Sequence, residues 1–194
     1  MTNHIDKLTY GEVIRKSCDF LSKKQVPSSK CDAEWIVSHV SGKPRLELYL
    51  SHEDFVPDED LSTIRSLIKE RGKRVPLQHI IKTVEFCNLS LKCDSRALIP
   101  RPETERLVEL LIEKLGPTFN GNILDLGSGS GAIVLALCNH FKCSQGTGLD
   151  ISSEAIALSK ENLRLTSLDR RVSFIEYDWV GSVFTDGKYE VIVS

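Results

Sequence analysis

The chain has 194 residues, 41% of them hydrophobic, with 25 basic and 27 acidic side chains and a formal net charge of −2. That length and apolar content suit a globular fold, either one large domain or one domain with a small partner, and the charge balance excludes any global attraction to nucleic acid or an anionic membrane. Six cysteines with no C-x-x-C pair and no histidine at finger spacing argue against zinc or any other metal site and fit reduced thiols in a cytosol.

The first seven residues are polar, with no apolar stretch of signal-peptide length, and nowhere do roughly 18 apolar residues run together. Acidic Asp6 and Glu12 also stand early, against a mitochondrial presequence. A cytoplasmic protein that neither spans nor binds a membrane is the expectation.

Thr9 and Glu12 stand at capping-box spacing, and Val13, Ile14, Phe20 and Leu21 recur on one helical face until Pro27. A second helix is predicted from Ser29 through Ala33, Trp35, Ile36, Val37 and Val40, stopped by Gly42 and Pro44, with a helical turn at 46–50 after it. A third starts near Asp58, lines up Leu61, Ile64, Leu67 and Ile68, and ends at Gly72. Residues 1–75 therefore read as a small helical domain.

From 76 to 100 the pattern changes. His79-Ile80-Ile81 and Leu89-Ser90-Leu91-Lys92 suit a hairpin linker better than a helix, and a domain boundary is placed here. Pro102 then opens an amphipathic helix carrying Leu107, Val108, Leu111, Ile112 and Leu115, closed by Gly116-Pro117. Strands and helices alternate after that: strand 122–126, helix 132–140, strand 146–151, helix 153–165, and strands 172–177 and 189–193. Such alternation implies a parallel sheet covered by helices, an α/β domain over 101–194 with ligands at the carboxyl ends of its strands.

The strongest local signal is Ile123-Leu124-Asp125-Leu126 running into Gly127-Ser128-Gly129-Ser130-Gly131. Glycines allow a tight turn and a close approach of ligand to main chain, and the helix that follows points N–H groups at whatever sits there. Asp150, at the end of the next strand, can accept hydrogen bonds from both hydroxyls of a ribose. Spacing alone leaves the ligand open, because Gly127 to Ala132 also satisfies the G-x-G-x-x-A dinucleotide fingerprint of NAD proteins. Asp125, the third glycine at 131 and the pair Asp178-Trp179 favour S-adenosylmethionine. The Asp178 carboxylate can pair with an adenine amino group, and the Trp179 indole offers the ring an apolar wall. Plainer roles stand beside these: Asp150 as a helix N-terminal charge, Trp179 as a core residue, Asp125 as a buried partner of loop amides.

Leu98-Ile99-Pro100-Arg101-Pro102-Glu103-Thr104-Glu105, followed by Leu107-Val108-Glu109, is closely similar to the segment preceding the methyltransferase domain in protein-(glutamine-N5) methyltransferases of peptide chain release factors. Pro76-Leu77-Gln78-His79-Ile80 and Glu85-Phe86 resemble that family too, as does a helical amino-terminal domain, which in the family helps recognise the release factor. The likeness runs from about residue 10 to the last. It implies a Rossmann-like class I S-adenosylmethionine-dependent methyltransferase sheet, incomplete at its C-terminus, with a small N-terminal helical domain. Gly127, Ser128, Gly129, Ser130 and Gly131 would cradle the methionine part of the cofactor. Asp150 would hold its ribose and Trp179 would flank its adenine, with Asp125, Arg101, Pro102, Glu103 and Thr104 as accessories. Two departures are visible: Lys82 stands where relatives usually have glycine, and Cys87 where an aromatic residue is common.

The family's next motif, Asn-Pro-Pro-Tyr, would begin after Ser194, so no catalytic residue is assigned, and cofactor binding is expected to outlast catalysis in this chain. The strand at 189–193 would then be an open edge, the place where an otherwise monomeric chain self-associates. The implied function is N5-methylation of the glutamine in the Gly-Gly-Gln motif of a release factor, in translation termination. The alternatives are a catalytically incompetent cofactor-binding fragment, an N6-adenine or rRNA methyltransferase, and, furthest behind, an NAD oxidoreductase. Lys69, Arg71, Lys73 and Arg74 cluster at a helix end and read as a solvated cap, so direct nucleic-acid binding is not expected.

Overall fold

The computed structural model describes residues 7–178, 184 and 187–194, and the chain divides into two compact units, Met1–Ile81 and Lys82–Ser194.

The first unit is helical. Helix α1 (Tyr10–Lys23) opens on the expected capping box, in which Thr9 Oγ1 accepts from the Glu12 amide at 3.3 Å and Glu12 Oε2 accepts from the Thr9 amide at 3.0 Å. Helix α2 (Ser29–Ser41) stops at Gly42, whose φ of 68° lets the chain leave the helix. Helices α3 (Arg45–Leu50) and α4 (Asp58–Arg71) follow. Their apolar stripes meet in one core that includes Leu21, Ile36, Val37, Leu48 and Ile64.

Two readings from sequence are corrected here. His79, Ile80 and Ile81 lie in a short helix, α5 (Leu77–Ile81), not in an extended run. The Pro76 carbonyl accepts from the amides of His79 and Ile80 at 3.1 and 3.3 Å, and the helical turn buries Ile80 and Ile81 side by side, where a strand would send them to opposite faces. Arg71 is not part of a solvated cap. Its Nε donates to Asp32 Oδ2 at 2.7 Å and its Nη1 to the Val75 carbonyl at 2.9 Å, so the guanidinium ties α4 to α2.

The second unit begins with a hairpin of β1 (Thr83–Phe86) and β2 (Leu89–Lys92). Its two-residue turn, Cys87-Asn88, has positive φ at both positions (46° and 63°), the form that matches strand twist. Helix α6 (Pro102–Leu115) comes next, with proline in its first turn.

The remaining elements are β3 (Asn122–Leu126), α7 (Ala132–His140), β4 (Gln145–Asp150), α8 (Ser153–Thr166), β5 (Val172–Glu176) and β6 (Val191–Val193). The last strand is shorter than the predicted 189–193. All four strands of this sheet are parallel, in the order β5-β4-β3-β6. The chain steps outward from β3 through β4 to β5 and returns to the other side of β3, a Rossmann-like arrangement. The order reverses at β3, and loops after β3 and β4 open at the carboxyl edge, where α/β sheets hold ligands. Phe174 on β5 lies across β4 at Gly148, where a Cβ would come within 2.5 Å of the ring. Ile123, Leu135, Leu137 and Phe174 belong to the core beneath.

Candidate functional site

The glycine turn leaves β3 at its carboxyl end and enters α7. Gly127, Gly129 and Gly131 have φ of 76°, 53° and 81°, a left-handed run that side chains resist. Gly131 is also pressed from outside, because a Cβ there would lie 2.5 Å from Phe174 Cζ.

The turn's amides are more occupied than the sequence suggests. Gly127 and Ser128 both donate to the Leu149 carbonyl, at 2.8 and 2.9 Å, and Gly131 donates to the Ser128 carbonyl at 2.7 Å. Gly129 donates to Asp150 Oδ2 at 2.8 Å, and Ser152, the N-cap of α8, donates to Asp150 Oδ1 at 2.9 Å. Asp150 thus organises two loops while each of its oxygens retains a further lone pair.

Beneath the turn lies Asp125, 1% exposed. The Val134 amide in the first turn of α7 acts on it in favour of its charged form, while its Oδ2 is buried without a partner among the described residues. Burial pushes its carboxyl up to about 7, the Val134 amide opposes the rise, and the charge of Asp150 adds to it. Ser128 Oγ is a second buried oxygen without a partner. Both atoms are left in need of a hydrogen-bond partner close below a positive-φ turn.

A cavity of about 410 Å³ opens above, within the size range of small-molecule sites. Its floor is Gly127, Ser128, Gly129, Ser130 and Ala132, its rim Asp150, Ser152 and Ala155, and its far wall residues 96–101 with Thr104. Of the sequence candidates, these put Gly127, Ser128, Gly129, Ser130, Asp150, Arg101 and Thr104 together. Gly131 starts α7 directly behind. Pro102 and Glu103 are exposed in the first turn of α6 and are not among the cavity-lining residues. Asp178 follows β5 at the same edge, where the Tyr177 amide donates to the Asp150 carbonyl at 2.9 Å, but it does not line the cavity either. Trp179 lies outside the described residues.

Sequence reasoning missed Arg96, Ala97, Ser152 and Ala155. Arg96 is held by Asp94 (Nη2 to Oδ2, 2.9 Å) and by Glu161 of α8 (Nη1 to Oε1, 2.8 Å; Nη2 to Oε2, 3.0 Å), and Lys92 also pairs with Glu161. Hydrogen bonds from Arg96, and for Glu161 from Lys92 as well, hold both carboxyls down at about 2. Only the Asp94-x-Arg96 spacing, an Asx turn in which Asp94 Oδ1 accepts from the Arg96 amide at 3.1 Å, carried a local signal.

The PrmC N-terminal domain family matches residues 12–81, and the methyltransferase small domain family matches residues 103–194. A release factor glutamine methyltransferase of Fusobacterium nucleatum subsp. nucleatum is 40% identical over 184 residues, covering 94% of this chain and 52% of the relative. The protein of that name in Rhodopirellula baltica is 33% identical over 190 residues (96% and 64%), and that in Deinococcus radiodurans 38% over 175 residues (90% and 61%). The chain spans between 52% and 64% of the length of these three relatives. Among the described residues, no helix is long and apolar enough to cross a membrane.

Proposed function

We propose that this chain, which belongs with the release factor glutamine methyltransferases along the part of them that it spans, binds S-adenosylmethionine in the cavity above β3 and β4. In this reading it serves transfer of the cofactor's methyl group to the side-chain amide nitrogen of a glutamine in a peptide chain release factor.

The observation that carries the reading is the sign of the charge at the site. Asp125 is buried with one oxygen unmatched, Asp150 stands at the rim, and the amides of Gly127, Ser128, Gly129 and Gly131 are already spent within the protein. A pyrophosphate would bring negative charge toward the Asp150 carboxylate and find few free N–H groups. A ligand with a sulfonium, an ammonium on a zwitterionic amino-acid end and a neutral sugar meets the opposite situation. The turn from Gly127 to Gly131 would take the methionine part, with Asp125 as its buried counter-charge. Asp150 would accept from the ribose hydroxyls through its remaining lone pairs. Asp178 and Trp179 would flank the adenine, and Arg101, Pro102, Glu103 and Thr104 would support the far wall.

When bound, the cofactor would supply an electrophilic methyl group on a sulfonium for transfer to the amide nitrogen, with the bonding pair left on sulfur and the amide proton passing to solvent. A glutamine amide is a poor nucleophile, because its lone pair is delocalised into the carbonyl. Catalysis is therefore mainly orientation of that nitrogen, and what this chain's residues would add is the hold on the cofactor. A protein acceptor requires no basic face, in keeping with the net charge of −2, and the helical unit would meet the release factor. The reading assigns a monomer in the cytoplasm, acting in translation termination.

Incubation with methyl-labelled S-adenosylmethionine and a release factor tests the acceptor. Label on the glutamine amide, abolished when that glutamine is replaced, supports the reading. Label on adenine bases of RNA or DNA overturns it, and cofactor binding without transfer to either assigns the chain to the non-catalytic class.

A further inference from the structure

Asn162 on α8 is fully buried, at 0% exposed, and none of its side-chain hydrogen-bonding atoms faces solvent. Its Oδ1 accepts from the Lys92 amide at 2.7 Å, and its Nδ2 donates to the Lys92 carbonyl at 3.2 Å and to the Ser130 carbonyl at 3.0 Å. The carboxamide therefore pairs with the end of β2 as another peptide group would, and spends its second N–H on the glycine turn. The peptide unit it grips there is fixed from both sides. Its carbonyl, on Ser130, goes to Asn162, and its N–H, on Gly131, goes to the Ser128 carbonyl at 2.7 Å. That peptide precedes the 81° φ of Gly131, so its orientation decides where the turn's floor lies.

Only a short primary amide satisfies all three partners at once. Aspartate has no donor when ionised, leucine of similar shape has no polar atom, and glutamine adds a methylene to a site with no room. The neighbouring segment has a second anchor, since Arg96 is bound to Asp94 and Glu161 whatever stands at 162. The hold on Ser130 is what an Asn162 substitution removes from the cavity.

We propose that Asn162 is a positioning residue for the methionine end of the cofactor: by fixing the Ser130 peptide against β2 it holds the floor of the glycine turn in its binding shape. This rests on the S-adenosylmethionine reading of the cavity. The role has a signature that a merely structural one lacks, because loosening the floor weakens ligands that carry the amino-acid part and spares those that lack it.

The test is calorimetric titration of the parent chain and Asn162→Ala with S-adenosylhomocysteine and with 5′-methylthioadenosine, which has the same nucleoside but no amino-acid end. The expected result is a loss of at least about tenfold for the first ligand and less than about threefold for the second. Equal losses, or none, overturn the proposal. Failure of the parent chain to bind either ligand overturns the cofactor reading and this inference with it, which separates the two. If the variant does not fold, exchange of the Asn162 side-chain amide protons in the parent chain decides by NMR. Slowing by S-adenosylhomocysteine beyond that caused by methylthioadenosine supports the role, and equal exchange refutes it.

Discussion

Replacing Asp125 with asparagine isolates the least comfortable charge in the protein. The carboxyl is 1% exposed and stands near Asp150, so its value rises from an ordinary 3.8 to about 7, against the opposing pull of the Val134 amide. That distance corresponds to roughly 4 kcal/mol of penalty on the charged form at high pH. Because the folded value is the higher one, the folded chain holds a proton that the unfolded chain has released between these two pH values. Stability from this group is therefore full below about 4 and is lost progressively as pH rises to about 7, then stays flat. Asparagine keeps an oxygen for the Val134 amide and removes the charge, at a cost of about 1–3 kcal/mol for a buried N–H without a partner. The stability of the variant relative to the parent should rise by about 3 kcal/mol between pH 5 and pH 8, a difference in which the other titrating groups cancel. Hydrogen exchange of the β3 and α7 amides at the two pH values reads it where it acts. Parallel profiles for parent and variant would refute the reasoning.

Other expectations follow from the same geometry. Gly131→Ala combines a left-handed φ with a Cβ 2.5 Å from the buried ring of Phe174, and should destabilise the second unit by about 2–5 kcal/mol in thermal or urea unfolding; a neutral outcome would mean the turn is softer than described. Lys82 holds a φ of 62°, so Lys82→Gly should gain up to about 1 kcal/mol, the relief of strain less the entropy of glycine, and a loss of stability would contradict it. Asp94 and Glu161 have depressed carboxyls, so their contribution is present above the ordinary range near 4 and disappears as pH falls through about 2. Carboxyl NMR titration should place both midpoints near 2, and values near 4 would mean that Arg96 does not hold them.

Much of this was legible from local pattern. The capping box at Thr9 and Glu12, the stop at Gly42, the start at Pro102 and the β-α alternation after residue 122 each rest on near neighbours in sequence, and each forms. The unusual lysine at 82 marked a backbone position that glycine suits better, which its positive φ explains. What stayed hidden depends on distant partners. A three-residue apolar run has no periodicity of its own, and it took the Pro76 carbonyl and a waiting core to make 77–81 helical. Arg71 looked solvated because Asp32, 39 positions away, cannot be seen from its helix end. The occupied amides of the glycine turn, the Arg96 clamp and the reach of Asn162 to Lys92 and Ser130 are likewise contacts across the fold, invisible to spacing rules.

The claim at the centre is that a cavity floored by spent amides, with Asp150 at its rim and the Asp125 carboxyl buried beneath the turn, selects a cationic nucleoside. Titration of the chain with S-adenosylmethionine and, separately, with NAD, at pH 6 and pH 8, tests it most directly. Binding of S-adenosylmethionine alone, tighter at pH 8 where Asp125 is ionised, is the predicted result; binding of NAD in its place, or affinity indifferent to pH, would contradict it.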